Sequence, residues 1–160
     1  MAAGDMRRLV IWTVLAVLLA AGVWLVLGQG AAEDAAAAPL DIAEGKVLYA
    51  ENCASCHGAE LEGQPDWRSP GPDGRLPAPP HDETGHTWHH PDSVLFDYTK
   101  LGGEALMARQ GMEFVSGMPG FGDSLTDQQI RNVLGFIRST WPERVQEVQA
   151  ERTKMDKGAN

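Results

Sequence analysis

The pattern of apolar and polar positions divides the chain into four parts. An apolar run without charge, 9–28, is followed by an alanine-rich stretch, 29–39, which has no periodic apolar face and indicates a linker. Between 40 and 141, segments with apolar residues at spacings of three and four predict amphipathic helices. The last part, 142–160, is mostly polar, and the pattern predicts a solvated helical tail.

The apolar run Leu9–Gly28 has 20 uncharged residues, the length that a helix needs to cross the hydrocarbon core of a bilayer. Arg7 and Arg8 precede it. The positive-inside rule therefore places residues 1–8 in the cytoplasm and the following domain in the periplasm, at a bacterial inner membrane. The run is longer than the apolar region of a signal peptide, about 7–15 residues, so we expect an uncleaved single-pass anchor. Cleavage in the small-residue stretch after it is the alternative, and it also exports the domain.

Two segments carry clear helix signals. Asp41 is a suitable N-cap for a helix over 42–52, in which Gly45 would let another helix approach closely. The side chains expected on its buried side are Ile42, Leu48 and Tyr49. Thr126 and Gln129 have the spacing of a capping box at the start of a second helix. The apolar face of this helix repeats at helical spacing and consists of Ile130, Val133, Leu134, Ile137 and Trp141.

The charge of the chain narrows its classes of partner. The formal net charge is −9 at pH 7, and an acidic chain is poorly suited to a phosphate backbone or to anionic lipid. We therefore expect no nucleic acid partner. An acidic surface is either simply solvated or complementary to a basic surface on a partner protein.

The cysteines of the chain, Cys53 and Cys56, stand in the pentapeptide CASCH. The pattern C-x-x-C-H is typical of c-type haem attachment, in which two thiols form thioethers to the haem and the imidazole of His57 binds the iron. The alternatives are a disulfide, which is usual in an exported chain, a thioredoxin-like redox pair, and a zinc site. A redox pair would need a preceding strand, which the pattern does not show, and zinc would need two more ligands.

A haem that transfers electrons usually has a second axial ligand, and methionine together with histidine raises its reduction potential. Four methionines follow the cysteine motif: Met107, Met112, Met118 and Met155. Met118 lies in the loop sequence SGMPGFG, whose glycines let the backbone pass close to a flat ligand and whose Pro119 stiffens the loop. We predict Met118 as the iron ligand and keep Met112 as the alternative.

Over 40–141 the chain resembles the small monohaem class I cytochromes c. The resemblance rests on the helix that ends in CASCHG and on GMPGFGDSLTDQQIRNVLGFIRSTW near the C-terminus. It implies an all-α fold around one covalently bound haem c, preceded here by one transmembrane helix, with the first and last helices of the domain packed crosswise. Gly45 and Tyr49 would then face the helix of the 130s.

The resemblance also implies several residues of the haem pocket. In that family a proline carbonyl accepts the proton of the haem histidine, which makes Pro79 the candidate and Pro80 the alternative. Trp88 would donate to a haem propionate, and Tyr98 would lie near the axial methionine.

The chain departs from this family in the segment around that proline. The stretch 61–80 is longer than in a minimal cytochrome and rich in glycine and proline, and His81 stands where the family usually has an apolar residue. A helix is expected from Asp92 onward, with an apolar face formed by Val94, Leu95 and Tyr98.

Histidines are concentrated between these two segments, in TGHTWHHPD. For His86, His89 and His90 four interpretations stay open. The histidines form structural bonds in a wall of the haem pocket, bind a second metal such as copper or zinc, are exposed without a role, or replace the methionine as axial ligand.

These observations predict an electron carrier and not an enzyme. It would transfer one electron at a time through a His/Met-ligated haem on the periplasmic face of the membrane, between respiratory or photosynthetic complexes. By resemblance its partners are a cytochrome bc complex, a terminal oxidase, a photosynthetic reaction centre, or a dehydrogenase or reductase. The alternatives are a haem enzyme or gas-binding sensor with a labile sixth ligand, and a copper-handling protein that uses 86–90.

Overall fold

The computed structural model describes residue 12 and residues 38–159, and residues 38–159 contain six α-helices and no β-strand. The helices are α1 (Ile42–Asn52), α2 (Ala54–His57), α3 (Asp92–Leu101), α4 (Gly103–Arg109), α5 (Asp127–Ser139) and α6 (Glu143–Ala159). A single 3-10 turn, Thr87–His89, precedes α3. The predicted all-α fold is confirmed for this part of the chain.

The predicted membrane anchor, Leu9–Gly28, lies outside the described residues except for Trp12. No helix within the described part is both long enough and apolar enough to cross a bilayer. The anchor, the orientation of the chain and the linker over 29–37 stay predictions.

Helix α1 has the bounds that the sequence predicts, because its cap is where the sequence places it. The carboxylate of Asp41 accepts a hydrogen bond from the backbone N–H of Glu44 at 2.9 Å, which satisfies one of the free donors of the first turn. Tyr49 is buried, with 2% of its surface exposed, whereas Ile42 is 39% exposed. Placing Ile42 on the buried side was wrong: its Cδ1 would lie 3.1 Å from a Cβ on Gly135, but much of the side chain is exposed to solvent.

Helix α5 provides the largest part of the core. Its capping box is present, with Thr126 accepting from the N–H of Gln129 and the Gln129 side chain accepting in return from the N–H of Thr126. Four members of the predicted apolar face are buried and Leu134 is partly buried against them; the buried ones are Ile130, Val133, Ile137 and Trp141. The period of the sequence therefore identifies the core side of this helix.

The contact between α1 and α5 depends on a missing side chain. A Cβ atom on Gly45 would overlap the backbone carbonyl of Asn132 and come within 3.1 Å of the Cβ of Phe136. One turn further on, the rings of Tyr49 and Phe136 pack with their centroids 5.5 Å apart. Gly45 and Tyr49 thus face α5, as the family resemblance implies.

A polar network closes the same contact. The buried side chain of Asn132 donates to the carboxylate of Glu44 at 2.5 Å and accepts from the N–H of Asp41 at 3.1 Å. Gln128 donates to the same amide oxygen at 2.9 Å. The first turn of α1 is therefore fixed to the middle of α5 by bonds that a buried amide must make.

Helix α3 differs from its predicted apolar face. Val94 is 36% exposed, while Phe96 packs against the core and Thr99 is buried, its hydroxyl donating to the carbonyl of Leu95 at 2.9 Å. Predicting Val94 on the buried face was wrong, because the side of α3 that packs against the core carries Phe96 and Thr99 instead.

The last helix, α6, is helical as predicted, but one face of it is buried, so its description as a solvated tail was wrong. Gln149 is only 1% exposed. Its amide nitrogen lies 2.7 Å from a carboxylate oxygen of Asp92 and 3.3 Å from the carbonyl of His90. Thr153 accepts from the N–H of Asp92 at 3.0 Å. The hydrophobic pattern does not predict this contact, because the residues that form it are polar and pack through hydrogen bonds.

We predict that Gly45→Ala lowers the free energy of unfolding by about 1–3 kcal/mol, the usual cost of overpacking a core. The added methyl group meets a backbone carbonyl of α5, which cannot rotate away. Chemical denaturation of the holoprotein measures the change. Gly158→Ala is the control, because a Cβ there meets nothing within 4 Å; an equal loss in both variants would contradict the close helix contact.

We also predict that Gln149→Ala destabilises the protein by about 1–3 kcal/mol, because it removes a buried side chain that donates to the carboxylate of Asp92 and the carbonyl of His90. The control is Glu147→Ala, an exposed residue on the same helix, for which a change within about 0.5 kcal/mol is expected. Thermal unfolding of both variants checks the difference. Equal melting temperatures would show that α6 does not depend on this contact.

Candidate functional site

The two cysteines lie where α1 passes into the short helix α2. The N–H of Cys53 donates to the carbonyl of Tyr49, and the N–H of His57 donates to the carbonyl of Cys53, both at 2.9 Å. Cys53 is partly buried and Cys56 exposed, and both thiols are free. Burial, and secondarily the neighbouring Cys56, raises the pKa of the Cys53 thiol to about 11. Both cysteines and the histidine are thus presented within two consecutive helical turns.

The imidazole of His57 is fixed by one backbone carbonyl. Its Nδ1 lies 2.8 Å from the carbonyl oxygen of Pro79. Since a carbonyl only accepts, Nδ1 must carry the proton, and the lone pair of the neutral ring is then on Nε2. Burial lowers the pKa of His57, although the bond to Pro79 opposes this. The ring is therefore in the neutral tautomer that a metal ligand requires.

The long segment before Pro79 forms a closed loop, and this loop places the Pro79 carbonyl next to His57. The N–H of Gln64 donates to the carbonyl of Ala78 at 2.8 Å, and the Gln64 side chain accepts from the N–H of Ala78 at 3.0 Å. Gly63 has a φ of +66°, and a Cβ there would lie 2.6 Å from the carbonyl carbon of Pro79. The residues that the resemblance does not explain, 64–78, thus form a closed loop that leaves Pro79 beside His57. Pro79, not the alternative Pro80, makes the contact.

His81, the second departure from the family pattern, stacks on His57. The two ring centroids are 4.0 Å apart and the ring planes differ by 20°. The Nδ1 atom of His81 lies 2.8 Å from the hydroxyl of Thr87, and its carbonyl accepts from the indole N–H of Trp141 at 2.7 Å. Burial lowers the pKa of His81 well below its usual value, and His57 and His86 lower it further.

The loop that carries Met118 is fixed to the junction of α3 and α4. The carbonyl of Met118 accepts from the N–H of Gly103 at 3.4 Å, and its N–H donates to the hydroxyl of Ser116 at 3.1 Å. A Cβ on Gly120 would come within 2.7 Å of the backbone of Leu101, so this glycine lets the loop lie against the end of α3. Met118 is partly buried. The alternative, Met112, is 48% exposed.

Tyr98 lies beside the loop that carries Met118, whereas Trp88 lies against the hydrophobic core. The space beside the Cα of Gly103 is occupied by the hydroxyls of both Tyr98 and Ser116. Since Ser116 also binds the N–H of Met118, Tyr98 lies at the base of the methionine loop. Trp88 is partly buried against the core, and its indole N–H has a backbone acceptor, the carbonyl of Glu83, at 3.3 Å.

Two histidines of the stretch TGHTWHHPD, His86 and His89, pack against tryptophan rings. His86 stacks on Trp67 with centroids 5.2 Å apart, and His89 stacks on Trp88 at 3.7 Å. Burial and neighbouring cationic groups lower the pKa of His86 and of His90. Across residue 12 and residues 38–159, no group of three or more His, Cys, Asp or Glu side chains is arranged to hold a metal ion.

Sequence reasoning did not find the roles of His81, Thr87 and Trp141. The available signal was a histidine at a position where the resemblance implies an apolar residue. Trp141 was identified as a core residue, and it is 4% exposed. Its hydrogen bond to the carbonyl of His81 joins residues 60 positions apart, which no local pattern reveals.

Comparison of the sequence with known proteins finds similarity to cytochromes c over the part of the chain that carries this site. The family model described as cytochrome c matches residues 42–141. The gluconate 2-dehydrogenase cytochrome c subunit of Pantoea cypripedii is 30% identical over 109 residues, which are 63% of this chain and 21% of that protein. The chain therefore corresponds to only part of that relative's length, and no solved structure matches it. Because the family match spans most of the described domain, with CASCH and the methionine loop inside it, the chain belongs to the cytochrome c family.

Proposed function

We propose that this protein is an electron carrier in which His57 and Met118 bind the iron of one haem c. Membership of the cytochrome c family implies covalently bound haem c and haem-based electron transfer. The observation that carries the finer proposal is the bond between His57 Nδ1 and the Pro79 carbonyl. It leaves Nε2 as the free ligand atom of a buried, neutral imidazole, ready to bind iron without first losing a proton.

The residues present fit the cofactor. Cys53 and Cys56 would supply the two thioether sulfurs, and they and His57 lie on two adjoining helical turns. When bound, the haem supplies a one-electron couple between ferrous and ferric iron. The protein's own part is to fix the ligands and keep water away from them, and no acid–base pair is needed for that.

The methionine loop supports Met118 as the second ligand. Its carbonyl and its N–H are both bonded to residues of the described domain, so the backbone on each side of the sulfur is fixed before the iron binds. A fixed loop favours a permanently filled sixth position over a labile one. Tyr98 lies at the base of this loop, and we propose it and Trp88 as pocket residues.

The location and partners of the carrier also belong to this proposal. The uncharged run Leu9–Gly28 supports a single-pass anchor with the haem domain in the periplasm of a bacterium. The related protein from Pantoea cypripedii is named as the cytochrome subunit of a dehydrogenase, which favours a dehydrogenase among the expected partners. A cytochrome bc complex, a terminal oxidase and a photosynthetic reaction centre are the other classes.

We predict that Met118→Leu abolishes iron–sulfur ligation while the haem stays attached. The ferric wild type should show the far-red charge-transfer band of sulfur bound to low-spin iron, and this band should vanish in the variant. The matched control is Met112→Leu, in which an exposed methionine is removed and the band should remain. Loss of the band in Met112→Leu alone would transfer the ligand role to Met112, and a high-spin ferric wild type would contradict the carrier.

We predict that Cys53→Ser/Cys56→Ser abolishes covalent haem attachment. After denaturation and gel electrophoresis, the wild-type band should stain for haem peroxidase activity and the band of the variant should not. Ser55→Ala, which changes one of the two residues between the cysteines, is the control and should stain like the wild type. Staining of the double variant would show that the haem is bound elsewhere.

A further inference from the structure

We propose that His81 is a positioning residue that fixes the plane of the His57 imidazole through ring stacking. The inference deepens the proposed function and rests on it, since it assumes that His57 binds the haem iron. It concerns the orientation of the ligand and assigns His81 no contact with the iron.

The hydrogen bond to Pro79 leaves the ring of His57 one degree of freedom. The 2.8 Å contact restrains Nδ1, but the angular tolerance of one hydrogen bond still lets the ring rock by small rotations about its Cβ–Cγ bond. A flat neighbour against one face opposes that motion. His81 is such a neighbour, with ring centroids 4.0 Å apart and planes inclined by only 20°.

A positioning residue must itself be fixed, and His81 is held at three points. Thr87, which is buried, holds the ring edge through a 2.8 Å contact to Nδ1. The backbone N–H of His81 donates to the carbonyl of Leu61 at 2.8 Å, and its carbonyl accepts from Trp141 at 2.7 Å. Ring and backbone are thus restrained from opposite sides.

These restraints connect the haem ligand to the principal helices. Trp141 follows the C-terminus of α5 and is buried in the core, and the ring of Tyr49 in α1 approaches His81 edge-on, with centroids 6.4 Å apart. An apolar aliphatic side chain at position 81 could fill the same volume, but it would offer neither a flat face nor an atom for Thr87 to bind. The orientation of the His57 ring therefore depends on His81, whose own ring and backbone are restrained by Thr87, Trp141 and their neighbours.

The experiment compares four variants of the holoprotein: His81→Leu, His81→Phe, Thr87→Val and the control Thr84→Val. The readouts are the reduction potential and the proton NMR shifts of the haem methyl groups in the ferric state. The order of these shifts depends on the orientation of the axial ligands, and Met118 is the same in all four variants. His81→Leu should reorder or broaden the haem methyl resonances and shift the potential. His81→Phe retains a flat ring but loses the bond to Thr87, so it should move the haem methyl resonances by clearly less than His81→Leu does.

The two other variants separate orientation from general destabilisation. Thr87→Val preserves volume but releases the ring edge of His81, and it should move the haem methyl resonances in the same direction as His81→Leu, by less. Thr84→Val removes the hydroxyl of an exposed threonine that bonds Asp82 and neither His81 nor His57, and it should leave both readouts unchanged. If His81→Leu yields no folded holoprotein, Thr87→Val and His81→Phe decide the question.

Wild-type resonance order in both His81→Leu and Thr87→Val would overturn the proposal, as would a change in His81→Phe equal to that in His81→Leu. Where only Thr87→Val folds, wild-type order in it has the same meaning. Failure of the proposed function looks different, because the wild-type spectrum itself would then lack methionine ligation. Each variant is compared with a wild type that has the same group opposite His57, so a change in the haem methyl order still reports a change at His57 in that case.

Discussion

The hydrogen bond from His57 Nδ1 to the carbonyl of Pro79 is the interaction on which the rest of the site depends. It sets the tautomer, and with it the ring nitrogen, Nε2, whose lone pair stays free to bind a metal. The imidazole belongs to a short helical turn, whereas the carbonyl belongs to a loop that begins several residues later. Two hydrogen bonds between Gln64 and Ala78 close that loop at its neck, which brings Pro79 beside His57.

The helix pair α1 and α5 gives this bond a rigid frame. Gly45 allows the two backbones to approach, and Asn132 satisfies the polar groups at the same place. The C-terminal end of α1 leads directly into the cysteines, and the residue that follows α5 by two positions, Trp141, bonds the carbonyl of His81. The packing of one helix pair therefore supports the two cysteines and, through His81, one face of the His57 ring.

The sequence predicted those features that have a local cause. The cap at Asp41, the capping box at Thr126 and the apolar face of α5 were all confirmed, because each needs only residues within a few turns. The resemblance to the cytochromes c identified Pro79, and the structure places it against His57.

What the sequence could not predict depends on contacts between distant residues. Gln149 looks like a surface residue, and its burial becomes visible only when α6 lies beside the start of α3. Val94 has an apolar side chain on an exposed part of a helix, which periodicity over so few turns cannot exclude. The stack of His81 on His57 joins residues 24 positions apart through a loop of unusual length, so no spacing rule covers it.

We propose that the haem iron is held from both sides, by His57 and Met118, and serves electron transfer alone. Exposure of the dithionite-reduced holoprotein to carbon monoxide tests this most directly, since the gas binds only where a ligand position is open or labile. With both positions permanently filled, we expect an unchanged ferrous absorption spectrum at neutral pH. Rapid formation of a carbon monoxide adduct in the unmodified protein would contradict it and would favour a haem enzyme or a gas-binding sensor.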